Sequence, residues 1–261
     1  MFKLDELNAI LEEYAPLVLS DKMAENGGYD NSGLLIKTND RANRILFSLD
    51  LSSESIKRAI ELNADAIVTH HPAIYTPIKS LSIDDYTAPI LSAVKSDINV
   101  FSMHLNLDCA YLGIDEYLSK GLGGENQEIL SVVLDGCGYG RQASVKEKSL
   151  EEFKTEIERV FNSNKILIYG NAKVKKIASF CGGGASEALR AVETGLTDAD
   201  TIITSDVAHH VLKELIEKGK NVVIIPHYVS EEYGFNKFYL RIKDRLNGKA
   251  EVYYFADKRF M

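Results

Sequence analysis

Ala64-Asp65-Ala66-Ile67-Val68-Thr69-His70-His71-Pro72 is the stretch that decides how the rest of the chain is read. Three apolar residues follow Asp65, then Thr69, two adjacent histidines and a proline. A short β-branched run with turn residues at both ends reads as a buried strand. The preceding Ser53–Asn63 segment repeats apolar residues with a helical period, at Ile56, Ala59, Ile60 and Leu62. A helix feeding a buried strand is the pattern of a parallel α/β sheet. In such sheets ligands sit beyond the carboxyl ends of the strands, where His70 and His71 fall. Pro72 disfavours the helical region for His71 and keeps it extended.

Working outward, the chain has six histidines: His70, His71, His104, His209, His210 and His227. Each follows an apolar, strand-like run: Ile98–Met103 before His104, Thr201–Thr204 before His209 and His210, and Asn221–Ile225 before His227. One histidine in such a place reads as a hydrogen-bonded linker. Six in four such places read as one convergent site at one end of a sheet.

The bulk properties bound what that site serves. At 261 residues the chain makes one large domain or two small lobes, at ~100–200 residues per domain. A composition that is 45% hydrophobic and 26% charged is that of a soluble globular protein. A net charge of -8 argues against nucleic acid as the main partner. No apolar run approaches the ~18 residues of a membrane span, and the start, Met1-Phe2-Lys3-Leu4-Asp5-Glu6, lacks the pattern of a signal peptide. Cys109, Cys137 and Cys181 are odd in number and lack metal-type spacing. A cytoplasmic protein with reduced thiols is the expectation.

Read in order, Leu4–Tyr14 is an amphipathic helix, with Leu4, Leu7, Ile10 and Leu11 on one face. Asn26-Gly27-Gly28-Tyr29-Asp30-Asn31-Ser32-Gly33 is loop chemistry, either a tight turn before the apolar Leu34-Leu35-Ile36 or part of a site. Ile45–Leu49 is a strand ending at Asp50, and a helix then starts with Ser52 or Ser53 as N-cap. After the His-His strand come a helix at Ala88–Lys95 and a strand at Ile98–Met103. If the following segment is extended, His104, Asn106 and Asp108 share a face. Ile114–Lys120 is a helix closed by Gly121.

Gly123-Gly124-Glu125-Asn126 is the best candidate boundary. The second half opens with a strand at Ile129–Leu134 and a glycine-rich loop at Gly136–Arg141. Helix Leu150–Phe161 has Ser149 as N-cap, and strands follow at Ile166–Tyr169 and Ile177–Phe180. Cys181-Gly182-Gly183-Gly184 is a strand-to-helix turn, serving either close backbone packing or an anion at the helix start. Helix Ala188–Glu193, strand Thr201–Thr204, helix Val211–Glu217, strand Val222–Ile225, helix Phe235–Leu246 and strand Glu251–Phe255 complete it. Two α/β lobes are expected, 1–125 and 126–261, with 235–261 able to pack back on the first.

Neutral imidazole and carboxylate are good ligands for Zn, Fe, Mn, Co and Ni. His227 and Glu231 are spaced i, i+4, although Ser230 reads as an N-cap, which leaves their alignment on a helix open. His70 and His71 are consecutive, so their side chains should diverge and serve two metals rather than one. With carboxylates from Asp108 and Glu231 this is the mix that a two-metal centre needs, and such a centre generates hydroxide from water near neutral pH. No cysteine lies in these motifs, which favours an open catalytic site over a closed structural one.

Asp30-Asn31-Ser32-Gly33-Leu34, Thr69-His70-His71-Pro72, His104-Leu105-Asn106-Leu107-Asp108, Gly182-Gly183-Gly184, Asp206 with His210, and His227 with Glu231 occur in this order. Together they resemble the NIF-three-like family, whose members carry the label GTP cyclohydrolase I type II. The resemblance spans nearly the whole chain. It implies a dinuclear metal centre between two α/β lobes and a ring-shaped hexamer. It makes His70, His71, Asp108, His227 and Glu231 the metal ligands, with Glu231 bridging, and has His104 and His210 line the site as catalytic groups. Pro226 stands where the family usually has glycine, and Tyr29 where it usually has tryptophan. Neither removes a ligand. The Asn126–Lys175 stretch leaves little room for the middle domain that longer members carry.

Three functional readings follow. The first is a metal-dependent hydrolase that opens the imidazole ring of a purine nucleotide at C8, with His104 or His210 moving protons. The second is a metal-dependent phosphoesterase, and the third a non-enzymatic, ring-forming adaptor or metal-handling protein. A small-molecule substrate and no membrane partner are expected.

Overall fold

The structure is a computed structural model and describes residues 1–25 and 29–261. The loop expected at Asn26-Gly27-Gly28 lies outside the described residues. The chain divides into two compact units, 1–110 with 235–258, and 111–234 with 259–261.

The first unit contains α1 (Leu4–Tyr14), α2 (Leu17–Ala24), β1 (Gly33–Ile36), β2 (Arg44–Ser48), α3 (Ser53–Glu61), β3 (Ala66–Thr69), α4 (Ala88–Lys95), β4 (Asn99–Ser102) and α5 (Leu105–Cys109). The second contains α6 (Ile114–Gly121), β5 (Glu125–Leu134), β6 (Cys137–Lys148), α7 (Leu150–Phe161), β7 (Leu167–Tyr169), β8 (Val174–Ser179), α8 (Ala185–Glu193), β9 (Thr201–Thr204), α9 (His209–Glu217) and β10 (Asn221–Ile224). Helix α10 (His227–Arg245) is shared: 227–234 belong to the second unit and 235–245 to the first, which also takes β11 (Glu251–Phe255).

The first unit is an α/β lobe. Among the described residues its sheet runs β1-β4-β3-β2-β11. Strands β4, β3, β2 and β11 are parallel, and β1 is antiparallel at the edge. Successive strand residues point to opposite faces, so Leu46 and Phe47 of β2 enter different layers. Leu46 joins Ile56, Ala59, Ile67, Ile90 and Val100 in one buried cluster under α3 and α4. Phe47 meets Phe235, Phe238 and Tyr239 of α10 at ring separations of 6.1, 5.9 and 5.7 Å. Covering both faces explains why β3 reads Ala-Ile-Val-Thr, buried throughout. Burial of each such Ile or Val side chain contributes roughly 1.5–3 kcal/mol. Ser52 is the N-cap of α3: its hydroxyl accepts from the Ser55 N–H at 3.2 Å, and Ser55 answers at 2.7 Å.

The second sheet, among the described residues, runs β5-β6-β8-β9-β10-β7. Its β8, β9 and β10 are parallel, and β5, β6 and β7 are antiparallel to their neighbours. Phe153, Ile157, Ile177, Ile202, Val222 and Leu215 are buried here. From Cys137 on, the glycine-rich run expected as a loop is instead strand. Gly138 pairs with Val132 across the β5–β6 hairpin, and a Cβ there would stand 2.2 Å from the Ser131 carbonyl oxygen. Glycine in this run permits close strand contact rather than a loop. No helix among the described residues is long and apolar enough to cross a membrane.

Candidate metal centre

In each unit the histidines and acids collect where parallel strands end. In the first unit β3 stops at Thr69, and the N–H groups of His70 and His71 both donate to the Leu49 carbonyl at 3.0 Å. The backbone bends there, so strand alternation no longer applies and the two side chains do not diverge as expected. Their ring centroids are 5.0 Å apart, and the His104 ring is 5.0 Å from His70 and 6.0 Å from His71.

Each of these rings is oriented by a partner at Nδ1. His70 is fully buried, and its Nδ1 lies 2.7 Å from the Met103 carbonyl oxygen. A carbonyl can only accept, so Nδ1 carries a proton and Nε2 is the ring nitrogen left to act as a ligand atom. Nδ1 of His71 lies 2.7 Å from Asp50 Oδ1, and that of His104 lies 2.6 Å from Asp30 Oδ1. Asp30 also accepts from Ser32 at 2.6 Å and from Ser20. Burial alone would raise the Asp30 carboxyl, but the hydrogen bond and charge of His104, with the two serines, outweigh it and hold the pKa at about 2. A ring held at one nitrogen by a carboxylate or carbonyl, with the other nitrogen turned to a site, is how proteins orient metal-ligating histidines.

The segment after His104 is not extended. Residues Leu105–Cys109 form α5 with His104 at its N-cap, and the Asp108 N–H donates to the His104 carbonyl at 3.1 Å. His104 and Asp108 therefore share a face through helical spacing rather than strand alternation. Asn106 turns away and donates to the Ala15 carbonyl at 2.7 Å. Asp108, 4% exposed, brings Oδ1 to 3.5 Å from Nε2 of His70. Ligand atoms of His70, His104 and Asp108 all lie within 4.8 Å of one another. The structure thus groups His104, expected only to line the site, with two expected ligands.

In the second unit α10 begins at His227. Ser230 is not its N-cap: its N–H donates to the Pro226 carbonyl at 3.0 Å, inside the first turn. His227 and Glu231 consequently stand one above the other, with Nε2 3.0 Å from Oε1. Nδ1 of His227 lies 2.5 Å from Asp206 Oδ2, which repeats the arrangement of the first unit. Asp206 follows β9 with φ +49°, a conformation aspartate tolerates better than most residues. Glu231 is 2% exposed, whereas Glu232 is half-buried. Gly182 closes over the pair with φ +56°, and a Cβ there would stand 2.2 Å from Glu231 Oε1 and 3.2 Å from His227 Nε2.

Two histidines do not follow the pattern. His209 and His210 occupy the first turn of α9 and are exposed. The strand before them ends at Thr204, and the intervening turn carries Asp206 to His227 instead. Expecting all six histidines to converge was too broad. The orienting partner Asp50 carries no signal in the sequence beyond following a strand, the Met103 carbonyl carries none, and Asp206 is visible only through its motif with His210. Asp30 is visible only as part of its turn motif.

The donors are imidazole nitrogens and carboxylate oxygens. Cys109 and Cys181 are buried, and no cysteine lies in either group. This set suits Zn, Fe, Mn, Co or Ni, and the buried His/Asp group of the first unit is one that could hold an ion.

The fold and these groups define a two-unit α/β protein with histidine–carboxylate clusters at its strand ends. The chain belongs to the Duf34/NIF3 (NGG1p interacting factor 3) family, whose model matches residues 2–259. It is 32% identical, over 95% of this chain and 94% of the relative, to a Clostridium perfringens protein named GTP cyclohydrolase 1 type 2 homolog. A Staphylococcus aureus hypothetical protein shares the fold with a TM-score of 0.85 at 26% identity, over 98% of this chain and 96% of that one. Reduced HcgD from Methanocaldococcus jannaschii aligns with a TM-score of 0.77 at 28% identity, over 97% of each chain.

Proposed function

We propose that the protein is a metal-dependent hydrolase in which His70, His71, Asp108, His227 and Glu231 would hold two ions, with Glu231 as the bridging carboxylate. The observation that carries this reading is the repeated orientation of imidazole rings. His70, His71, His104 and His227 each have Nδ1 occupied by an acceptor, which leaves Nε2 as the donor atom. A pair of divalent ions would supply a nucleophile from water at neutral pH and polarise the bond under attack. The chain's own residues have separable tasks. Met103, Asp50 and Asp206 hold three rings in their ligating tautomer. His104, backed by Asp30, is placed to take and return a proton at Nε2.

The names of relatives support opening of a purine nucleotide ring, with a phosphoester as the alternative substrate. We further propose a closed ring of copies, a hexamer, acting in the cytoplasm. The test is direct. Protein loaded with Zn²⁺, Mn²⁺, Fe²⁺ or Co²⁺ is expected to hold close to two ions per chain and to turn over a member of a panel of nucleotides and phosphoesters. One ion or fewer per chain after loading in excess would sink the dinuclear reading. Full loading with no turnover across the panel would favour the metal-handling adaptor.

A further inference from the structure

One buried polar cluster of the second unit donates no ligand. Asp115, on the first turn of α6, and Arg141, on β6, are 0% and 2% exposed. Arg141 Nη1 lies 3.4 Å from Asp115 Oδ2 and donates to the carbonyl oxygens of Gly138 at 2.7 Å and Gly140 at 3.2 Å. A buried ion pair is a weak source of stability, because desolvation offsets much of the attraction and apolar residues of similar volume often serve as well. What this cluster does hold is backbone. Asp115 Oδ1 accepts from the Cys181 N–H at 3.1 Å. The Tyr139 hydroxyl donates to the Cys181 carbonyl at 2.5 Å. The Gly182 N–H donates to Ser230 Oγ at 3.2 Å, and Ser230 donates to the His227 carbonyl at 2.8 Å. Three neighbouring polar groups of the Cys181–Gly182 turn are therefore tied, from α6, β6 and α10.

That turn is the wall against which Glu231 rests. The approach is close enough that a Cβ at Gly182 would stand 2.2 Å from Glu231 Oε1, so the path of this turn limits where the carboxylate can lie. We propose that Asp115 and Tyr139 are positioning residues for the Glu231–His227 pair, acting through the Cys181–Gly182 backbone. The inference rests on the metal-binding reading above. Arg141 orients Asp115 so that one oxygen stays on the Cys181 N–H. None of the three is among the proposed ligands.

Co²⁺ titration of the full chain, followed by visible absorption, tests this alongside melting of the metal-free protein. Tyr139→Phe removes one hydroxyl and keeps the ring in its edge contact with Phe180, 5.9 Å between centroids. Asp115→Ala removes the acceptor, whereas Asp115→Asn retains an oxygen for Cys181. Loss of a group that orients a metal ligand typically weakens binding about 10–100-fold. Tyr139→Phe and Asp115→Ala are expected to weaken Co²⁺ binding by about 10-fold or more and to change the absorption band, and Asp115→Asn to recover most of both. Ile157→Val, buried elsewhere in this unit, sets the baseline for lost melting temperature with unchanged binding. Wild-type affinity and band shape in Tyr139→Phe and Asp115→Ala would overturn the proposal, whatever their melting temperatures. Should Asp115→Ala fail to fold, Tyr139→Phe decides alone. If the wild type binds no Co²⁺, or Glu231→Gln binds as tightly as the wild type, the metal reading itself fails and takes the positioning role with it.

Discussion

Replacing Gly182 by alanine tests the proposed ligand pair His227 and Glu231 with one methyl group. The new Cβ would lie 2.2 Å from Glu231 Oε1, and ordinary contact begins at 3.4 Å, so the carboxylate must retreat by about 1.2 Å (3.4 minus 2.2). Metal–ligand distances tolerate deviations of about 0.2 Å, several-fold less than that retreat. His227 Nε2, at 3.2 Å, needs to give only a few tenths of an ångström. The backbone adds its own cost. At φ +56° a non-glycine residue loses roughly 1–2 kcal/mol. We expect Gly182→Ala to lower metal affinity by at least 10-fold and to melt earlier by an amount consistent with that strain. Gly183→Ala is the matched control, because a Cβ there meets nothing within 4 Å and its φ is not in the left-handed region. Isothermal titration with Co²⁺ or Zn²⁺ and thermal melts of the metal-free proteins supply the two readouts. Affinity unchanged in Gly182→Ala, with melting lowered, would show that Glu231 is not held against Gly182 in its ligating position, and the reasoning would be wrong.

Three further outcomes are expected. Glu231→Gln should lower occupancy of both proposed metal sites while Glu232→Gln leaves them intact; the reverse result in metal titration would shift the proposed ligand assignment by one residue. The Asp30 carboxyl is held at about 2 in the fold against an ordinary value of 3.8, so the stability it contributes is fully present above about pH 4 and is lost as pH falls through 2. Asp30→Asn should therefore flatten the acid limb of a stability–pH curve between those limits, and an unchanged limb by denaturant unfolding would contradict the His104–Asp30 pairing. Light scattering at micromolar concentration and physiological salt should give the mass of a closed oligomer; a monomer mass would remove the proposed ring.

How much of this was legible in the chain depends on the range over which each feature is decided. Strands such as Ala66–Thr69 and Thr201–Thr204 are visible because apolar runs bounded by turn residues are local properties. The capping serines Ser52 and Ser149 are visible for the same reason, since each is answered three residues later. Placing His70, His71 and His227 at strand ends needs only the order of elements, because parallel sheets put their ligands there.

Tertiary structure decided what lies beyond that range. The bend after Thr69, tied to the Leu49 carbonyl, that keeps the His70 and His71 rings together, the helical turn that sets Asp108 over His104, and the start of α10 at His227 rather than at Ser230 all arise from contacts a local pattern does not contain. Asp30 meets His104 across 74 residues, Met103 meets His70 across 33, and Asp206 meets His227 across 21. Residue type alone does not distinguish the exposed His209 and His210 from the others. A histidine at a strand end becomes a ligand candidate only when packing brings an acceptor to its Nδ1, and that acceptor comes from an element the local sequence does not name.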